Sequence, residues 1–166
     1  MTIRPITEAD YDAVGDVHVR TWQAGYAGIV PADYLAALDP VANAERRRTE
    51  PPREGAHTLV AEEDGRVVGF ASFGPDLADP SVGGLYAIYV APEQWGHGTG
   101  RQLLTAAKEA LKASGYREMR LWVLAENARA RQFYERMDLA PDGATDTYTP
   151  RGTEAQLPEL RYTTAL

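Results

Sequence analysis

The sequence predicts an α/β fold: a mixed, mostly antiparallel twisted sheet with a central parallel strand pair and flanking helices. Three observations predict it. Two β-rich runs, His57 to Glu62 and Val67 to Phe73, are joined through Asp64-Gly65, a strong hairpin signal. A compact apolar and aromatic strand, Leu85 to Val90, follows and completes a three-stranded meander. Beyond it, a helical stretch and a second apolar strand, Met119 to Leu124, make a strand–helix–strand unit. That order implies a parallel pair with a crossover helix.

The remaining elements fall in order around this centre. Ile3 to Pro5 is a short apolar start, and Thr7 with Asp10 three residues on resembles a capping pair. Tyr11, Val14, Val17 and Trp22 recur at helical spacing, until Gly25-Tyr26-Ala27-Gly28 breaks the helix. Pro31 opens a second helix, which Asp39-Pro40 interrupts. A polar helix around Val41 to Arg48 ends at Pro51-Pro52. Gly74 to Gly83 reads as a loop and Ala91 to Thr99 as a glycine-rich loop. Gly100 to Ser114 is a helix with Leu103, Leu104, Ala107 and Leu111 on one face, and Gly115 suits the position just past its end. Ala128 to Met137 is another helix, and Tyr148 and Leu160 to Tyr162 mark two short final strands.

The composition bounds the function. At 166 residues the chain is expected to form one domain, residues 1–166. Its 44% hydrophobic and 25% charged residues match globular averages, which argues against a disordered chain. No apolar run approaches the ~18–20 residues that cross a bilayer. The N-terminus has no apolar signal-peptide region. A cytoplasmic protein with no membrane partner is therefore expected. Cysteine is absent, which excludes disulfides, zinc–thiolate sites and any enzyme thioester. The 17 basic and 24 acidic residues leave a net charge of −7, a poor match for nucleic acid. Only Lys108 and Lys112 are lysines, which together with abundant alanine points to a GC-rich bacterial genome. His18 and His57 are isolated and show no metal-ligand spacing, so no metal is expected. The Arg46-Arg47-Arg48 run reads as a solvated helix end.

The most informative segment is Leu85 to Arg101. It sets Gly96, Gly98 and Gly100 at alternate positions between a buried strand and a helix N-terminus. Missing side chains let a ligand approach the backbone, and the free N–H groups of the first helical turn favour negative charge. The segment reads as a diphosphate cradle. It is not a Walker loop, because no lysine lies in it. Nor is it a dinucleotide fingerprint: the third glycine counted from Gly96 falls on Arg101, and counted from Gly98 on Leu103.

These residues resemble the GCN5-related N-acetyltransferases (GNAT), whose signature is Arg/Gln-x-x-Gly-x-Gly/Ala between the fourth strand and the next helix. Here Trp95-x-x-Gly98-x-Gly100 occupies it, with Trp95 in place of Arg or Gln and Gln94 one residue early. A second block, Asn127-x-x-Ala130-x-x-Phe133-Tyr134-Glu135, is similar to the family's Asn-x-x-Ala-x-x-Phe-Tyr-Glu motif after the fifth strand. Asp138-Leu139 stands where the family usually has Gly-Phe, and Asp tolerates a left-handed backbone better than most residues. The strand and helix order matches along essentially the whole chain.

The resemblance implies the acyl-CoA N-acyltransferase fold, acetyl-CoA as acyl donor and direct transfer of acetyl to a primary amine of a small molecule or, less favoured, a protein. It implies that Ile88, Tyr89 and Val90 pair with the pantetheine arm and offer an N–H to the thioester carbonyl. It implies that Gly96, His97, Gly98, Thr99, Gly100 and Arg101 surround the pyrophosphate, that Asn127 touches the coenzyme, and that Tyr134 protonates the departing thiolate. Phe133 is then the core residue beside it. Trp22, Tyr26 and Tyr86 are candidates for the acceptor wall, where aromatic rings hold an ammonium by cation–π contact. Some relatives carry a glutamate base on the fourth or fifth strand. The fourth strand here has no acid and the fifth carries Trp122, so water, Tyr86 and His18 stay open as bases. The missing carboxylate also supports an alternative, a non-catalytic acyl-CoA-binding regulatory module. Oligomeric state stays open, a homodimer being common in such folds.

Overall fold

The computed structural model describes residues 1–166. The chain enters at a sheet edge through β1 (Thr2–Pro5) and passes into α1 (Tyr11–Gly25), α2 (Ala32–Ala36) and α3 (Pro40–Thr49). A meander follows, β2 (His57–Glu63), β3 (Arg66–Pro75) and β4 (Gly83–Val90). Then come α4 (Thr99–Ala113), β5 (Glu118–Leu124), α5 (Ala128–Glu135), β6 (Ala140–Tyr148) and β7 (Leu157–Ala165). All seven strands lie in one sheet, ordered β1-β2-β3-β4-β5-β7-β6. The β4–β5 pair is parallel and every other pairing is antiparallel, as the sequence predicts.

Local chemistry sets the element ends. The Asp10 carboxylate accepts hydrogen bonds from the Thr7 N–H and hydroxyl at 2.7 and 2.9 Å, so Thr7 and Asp10 do lock the first helical entry. Arg4 joins Asp10 to Glu62 on β2 and ties that entry to the sheet. Asp39 caps α3 by accepting from the Val41 N–H at 2.8 Å. The hairpin turn holds Asp64 and Gly65 at φ 50° and 74°, the two left-handed residues that a type I′ turn requires.

Two faces of the sheet are covered. On one, Leu103, Leu104, Ala107 and Leu111 of α4 bury against Phe73, Leu85, Met119, Leu121, Val123 and Tyr162. Each fully buried leucine contributes roughly 1.5–3 kcal/mol, so this stripe is a principal source of stability. On the other, Val14 and Val17 of α1 pack on Val60 and Phe70. A further cluster joins Val30, Leu35 and Leu124, with Trp22, Tyr26, Tyr34 and Tyr148 around it.

Two expectations are corrected. The final strands are not short: β6 and β7 each run nine residues and form a hairpin beside β5. Their exposed polar positions hide them from a reading based on apolar runs. The Arg46–Arg48 run is not simply solvated either. Arg47 turns inward, its guanidinium carbon lies 4.9 Å from the centre of the Phe70 ring, and its Nε is buried without a partner.

The feature that makes the site is a separation. β4 and β5 pair only through Gly83–Met119 and Gly84–Arg120, at their starts. Past that point the two strands part, leaving a gap in the middle of the sheet.

Candidate active site

A cavity of about 910 Å³ opens where β4 and β5 part. That is within the range of ligand pockets. Its β4 wall offers backbone groups. The Ala91 N–H donates to the Val68 carbonyl at 2.9 Å, and in an antiparallel pair such bonding residues alternate. Tyr89 and Ala87 therefore spend their backbone groups on β3, while those of Ile88 and Val90 turn toward the gap. The Val90 carbonyl is already taken, by the Trp95 indole N–H at 2.7 Å and the Thr21 hydroxyl at 3.0 Å.

The glycine loop closes one end. Gly96 and Gly98 have φ 83° and 87°, where any side chain is strained, although a Cβ at either would meet no atom within 4 Å. Gly98 precedes the first turn of α4. The first intrahelical bond runs from the Gln102 N–H to the Gly98 carbonyl, which leaves the N–H groups of Thr99, Gly100 and Arg101 free of helical partners. Thr99 is fully buried and its hydroxyl has no partner. An anion at this helix end would satisfy such groups.

Tyr134 stands on α5 with 8% of its surface exposed. Its ring lies near Phe133 and Tyr162, at 5.3 and 6.3 Å between centroids. Tyr134 lines the cavity, and its hydroxyl makes no hydrogen bond within the chain. Burial, and then Tyr89, push its pKa up. The phenol therefore carries its proton at neutral pH, as an acid must.

The structure gathers most of the expected residues at this one cavity. Ile88, Tyr89, Val90, Gly96, Gly98, Thr99, Gly100, Arg101, Asn127 and Tyr134 line it, together with Trp22, Tyr26 and Tyr86. His97 does not. It is exposed, and its N–H donates to the Gln94 carbonyl at 3.3 Å. The Asn127 carbonyl oxygen caps α5 by accepting from the Ala130 N–H, which leaves its amide N–H groups for a ligand. The Tyr86 hydroxyl donates to the Pro75 carbonyl at 2.6 Å. That bond spends its proton and removes Tyr86 as a ready base. His18 is off the cavity wall altogether. Its Nδ1 lies 3.2 Å from the Asn43 amide nitrogen, its ring packs against Tyr89 and Trp22, and burial with the Arg47 and Arg46 charges pushes its pKa down to about 4.

Several lining residues had no signal in the sequence. Thr21 and Arg129 shape the loop side, and Asp146, Tyr148 and Glu159 come from the β6–β7 hairpin. Tyr148 reads in sequence only as a strand marker. Asp146 and Glu159 read as ordinary surface acids, because nothing local says that β7 inserts beside β5.

Comparison with known proteins agrees with this geometry. The model of the Acetyltransferase (GNAT) family matches residues 20–139. The chain belongs to the GNAT acetyltransferase family. It is thus an acyltransferase. A Mycobacterium tuberculosis protein named "Probable N-acetyltransferase Rv2775" is 32% identical over 150 residues, 89% of this chain and 84% of the relative. The uncharacterized N-acetyltransferase YuaI of Bacillus subtilis is 35% identical over 130 residues, 76% of this chain and 73% of the relative. Among solved structures, the PaiA N-acetyltransferase of Thermoplasma acidophilum, in complex with coenzyme A, superposes with a TM-score of 0.71 at 20% identity. That match covers 99% of this chain and 98% of the other.

The departures from the GNAT pattern have local explanations. Trp95 replaces a polar side chain with an indole that staples the loop to Val90, under the Arg129 guanidinium 3.5 Å from its ring centre. Gln94 turns away to the Glu63 carboxylate at 2.7 Å. Asp138 takes φ 65°, the left-handed turn that the family's usual glycine adopts freely.

Proposed function

We propose that this chain moves an acetyl group directly from acetyl-CoA to a primary amine of a small molecule, without a covalent enzyme intermediate. The observation that carries this reading is the meeting of three things at one gap in the sheet. These are the outward-turned backbone of Ile88 and Val90, the unpaired N–H groups at the start of α4, and the unpartnered Tyr134 hydroxyl.

Each does a separate job. The N–H groups of Thr99, Gly100 and Arg101 hold the pyrophosphate, with the buried Thr99 hydroxyl and the helix dipole assisting. Asn127 offers its free amide N–H groups to the coenzyme. The Ile88 and Val90 backbone extends the sheet along the pantetheine arm. An N–H on that strand holds the thioester oxygen as negative charge grows on it. Tyr134 gives its proton to the departing sulfur, and water takes the proton that the attacking amine sheds and restores the Tyr134 phenol. Phenol and alkyl thiol pKa values, ~10 and ~8.5 in solution, make that transfer only modestly uphill, so a positioned phenol can assist departure. The chain holds no cysteine, so the acetyl group cannot rest on an enzyme thiol.

The test is a thiol-release screen. The protein is mixed with acetyl-CoA and a panel of amines, and free coenzyme A thiol is followed. Release that depends on an amine supports the reading. Tight acetyl-CoA binding by calorimetry with no release from any amine replaces it with a coenzyme-binding regulatory role.

A further inference from the structure

The β6–β7 end of the cavity has a chemistry of its own. Glu159 lies directly opposite Leu124 on one side and Asp146 on the other. Directly opposed residues in antiparallel strands point to the same face. Leu124 buries with Val30 and Leu35, beside Trp22, Tyr26 and Tyr148. Glu159 and Asp146 therefore face the same aromatic cluster, and both line the cavity.

Glu159 is the unengaged acid among them. Three acids line the cavity: Asp76, Asp146 and Glu159. Asp76 accepts from the N–H groups of Ala78 and Asp79, and Asp146 from that of Thr147. The Glu159 carboxylate has no hydrogen bond and no ion pair within the chain, and it stands opposite a second carboxylate. Like charges directly opposed across strands destabilise a sheet unless a cation sits with them. The nearest cation, Arg161, lies two residues along β7 on the same face and is bound to the Asp142 carboxylate at 2.6 Å. Arg120 lies four residues back along β5, roughly 13 Å away at ~3.3 Å per residue, bound to Glu118 and Asp79. Arg129 lies over Trp95, and Arg101 belongs to the first turn of α4.

The Tyr134 phenol, 8% exposed, lines the same cavity and makes no hydrogen bond within the chain. Trp22 meets Tyr26 edge-on at 4.8 Å and Tyr148 at 6.3 Å between ring centres, and the negative face of such a ring attracts a cation.

We propose that Glu159 receives the ammonium of the acceptor, with Asp146 and the rings of Trp22 and Tyr148 completing the site. The acceptor is then an aliphatic amine with no carboxylate beside its amino group. The proposal rests on the acetyl-transfer reading above and names its substrate class. Burial, and then Asp146, raise the Glu159 pKa, as expected of a carboxylate that has lost water and awaits a cation.

The experiment compares n-butylamine, 1,4-diaminobutane and norvaline, which is butylamine with a carboxylate added beside the amine. The expected kcat/KM for the first two exceeds that for norvaline by about tenfold or more. Glu159→Gln raises the KM for butylamine by about tenfold, with kcat changed less and with acetyl-CoA affinity by calorimetry within about twofold of the parent. Glu159→Asp recovers part of the loss. Titration of butylamine into the coenzyme A-saturated protein gives the same ratio without turnover, and circular dichroism shows that the variants fold. An unchanged butylamine KM in Glu159→Gln, or norvaline as the preferred acceptor, overturns the proposal. Transfer only to acceptors outside this class overturns the substrate class and leaves acetyl transfer standing. Failure of the parent protein to bind acetyl-CoA overturns the underlying reading instead, and this one with it.

Discussion

The Trp95 indole N–H donates to the Val90 carbonyl at 2.7 Å, and so fastens the glycine loop to the end of β4. The two residues are five apart, yet they belong to different parts of the site. Val90 ends the strand proposed to run along the pantetheine arm, and Trp95 opens the loop proposed to grip the pyrophosphate. One hydrogen bond thus links the two halves of the proposed coenzyme site.

Trp95→Phe keeps a ring beneath Arg129 and removes the donor. Thr21 still serves the Val90 carbonyl, so that group is not orphaned. The expected loss of stability is about 1 kcal/mol, the net value of one hydrogen bond. The KM for acetyl-CoA should rise about threefold to tenfold while kcat holds. Denaturant titration and steady-state kinetics check both.

Gly98 and Gly100 should respond differently to alanine. Gly98→Ala places a side chain at φ 87°, a strain of about 1–2 kcal/mol even though space is free. The loop is expected to relieve it by moving the N–H groups proposed to hold the pyrophosphate, so acetyl-CoA affinity falls about tenfold. At Gly100 the φ is ordinary and the new Cβ meets the Phe133 ring at 3.4 Å. Gly100→Ala therefore weakens affinity by about threefold at most. Calorimetry on the two variants decides it, and an equal loss in both would contradict the strain argument.

Tyr134→Phe removes only the hydroxyl, which has no partner to orphan. Stability should stay within about 0.5 kcal/mol of the parent. Acetyl-CoA affinity should be unchanged, and kcat should fall by about 10²-fold or more, the low end of general-acid contributions. A single-turnover assay of thiol release measures it. Undiminished turnover would remove Tyr134 from the chemistry.

His18 makes the fold acid-sensitive before its carboxylates do. Its pKa is pushed down to about 4 by burial and by Arg47 and Arg46, against ~6.5 in an unfolded chain. Between those values the unfolded chain binds a proton that the folded chain refuses. Stability therefore rises with pH across that window and is lost as pH falls from about 6.5 toward 4. The full change is about 3 kcal/mol. Urea titrations from pH 4.5 to 7.5 should show this slope, and His18→Gln should flatten it.

Much of this molecule is written locally. The Asp64-Gly65 turn, the Thr7–Asp10 pair, the apolar stripe of α4 and the glycine spacing from Gly96 to Gly100 are short-range patterns, each with its own physical cause. They suffice for the strand and helix order and the parallel crossover. Tyr134 and Asn127 were legible only through the family resemblance, as members of one continuous block.

The acceptor end was not legible, because no local pattern encodes it. Its walls come from α1, β5 and the β6–β7 hairpin, brought together by β7 inserting between β5 and β6. Glu159 faces Leu124 across 35 positions of chain, and only the sheet register puts them side by side. The fate of Arg47 was decided in the same way. In sequence it is the middle of a charged run, and in the fold α3 packs against α1 and turns it onto Phe70. Sequence alone therefore determined the fold class, since turn chemistry and periodicity act over a few residues, and its family motifs pointed to the residues proposed for the donor half of the site. Tertiary structure decided the acceptor half, since a side chain's neighbours across a sheet depend on strand order and register, which are properties of the whole chain.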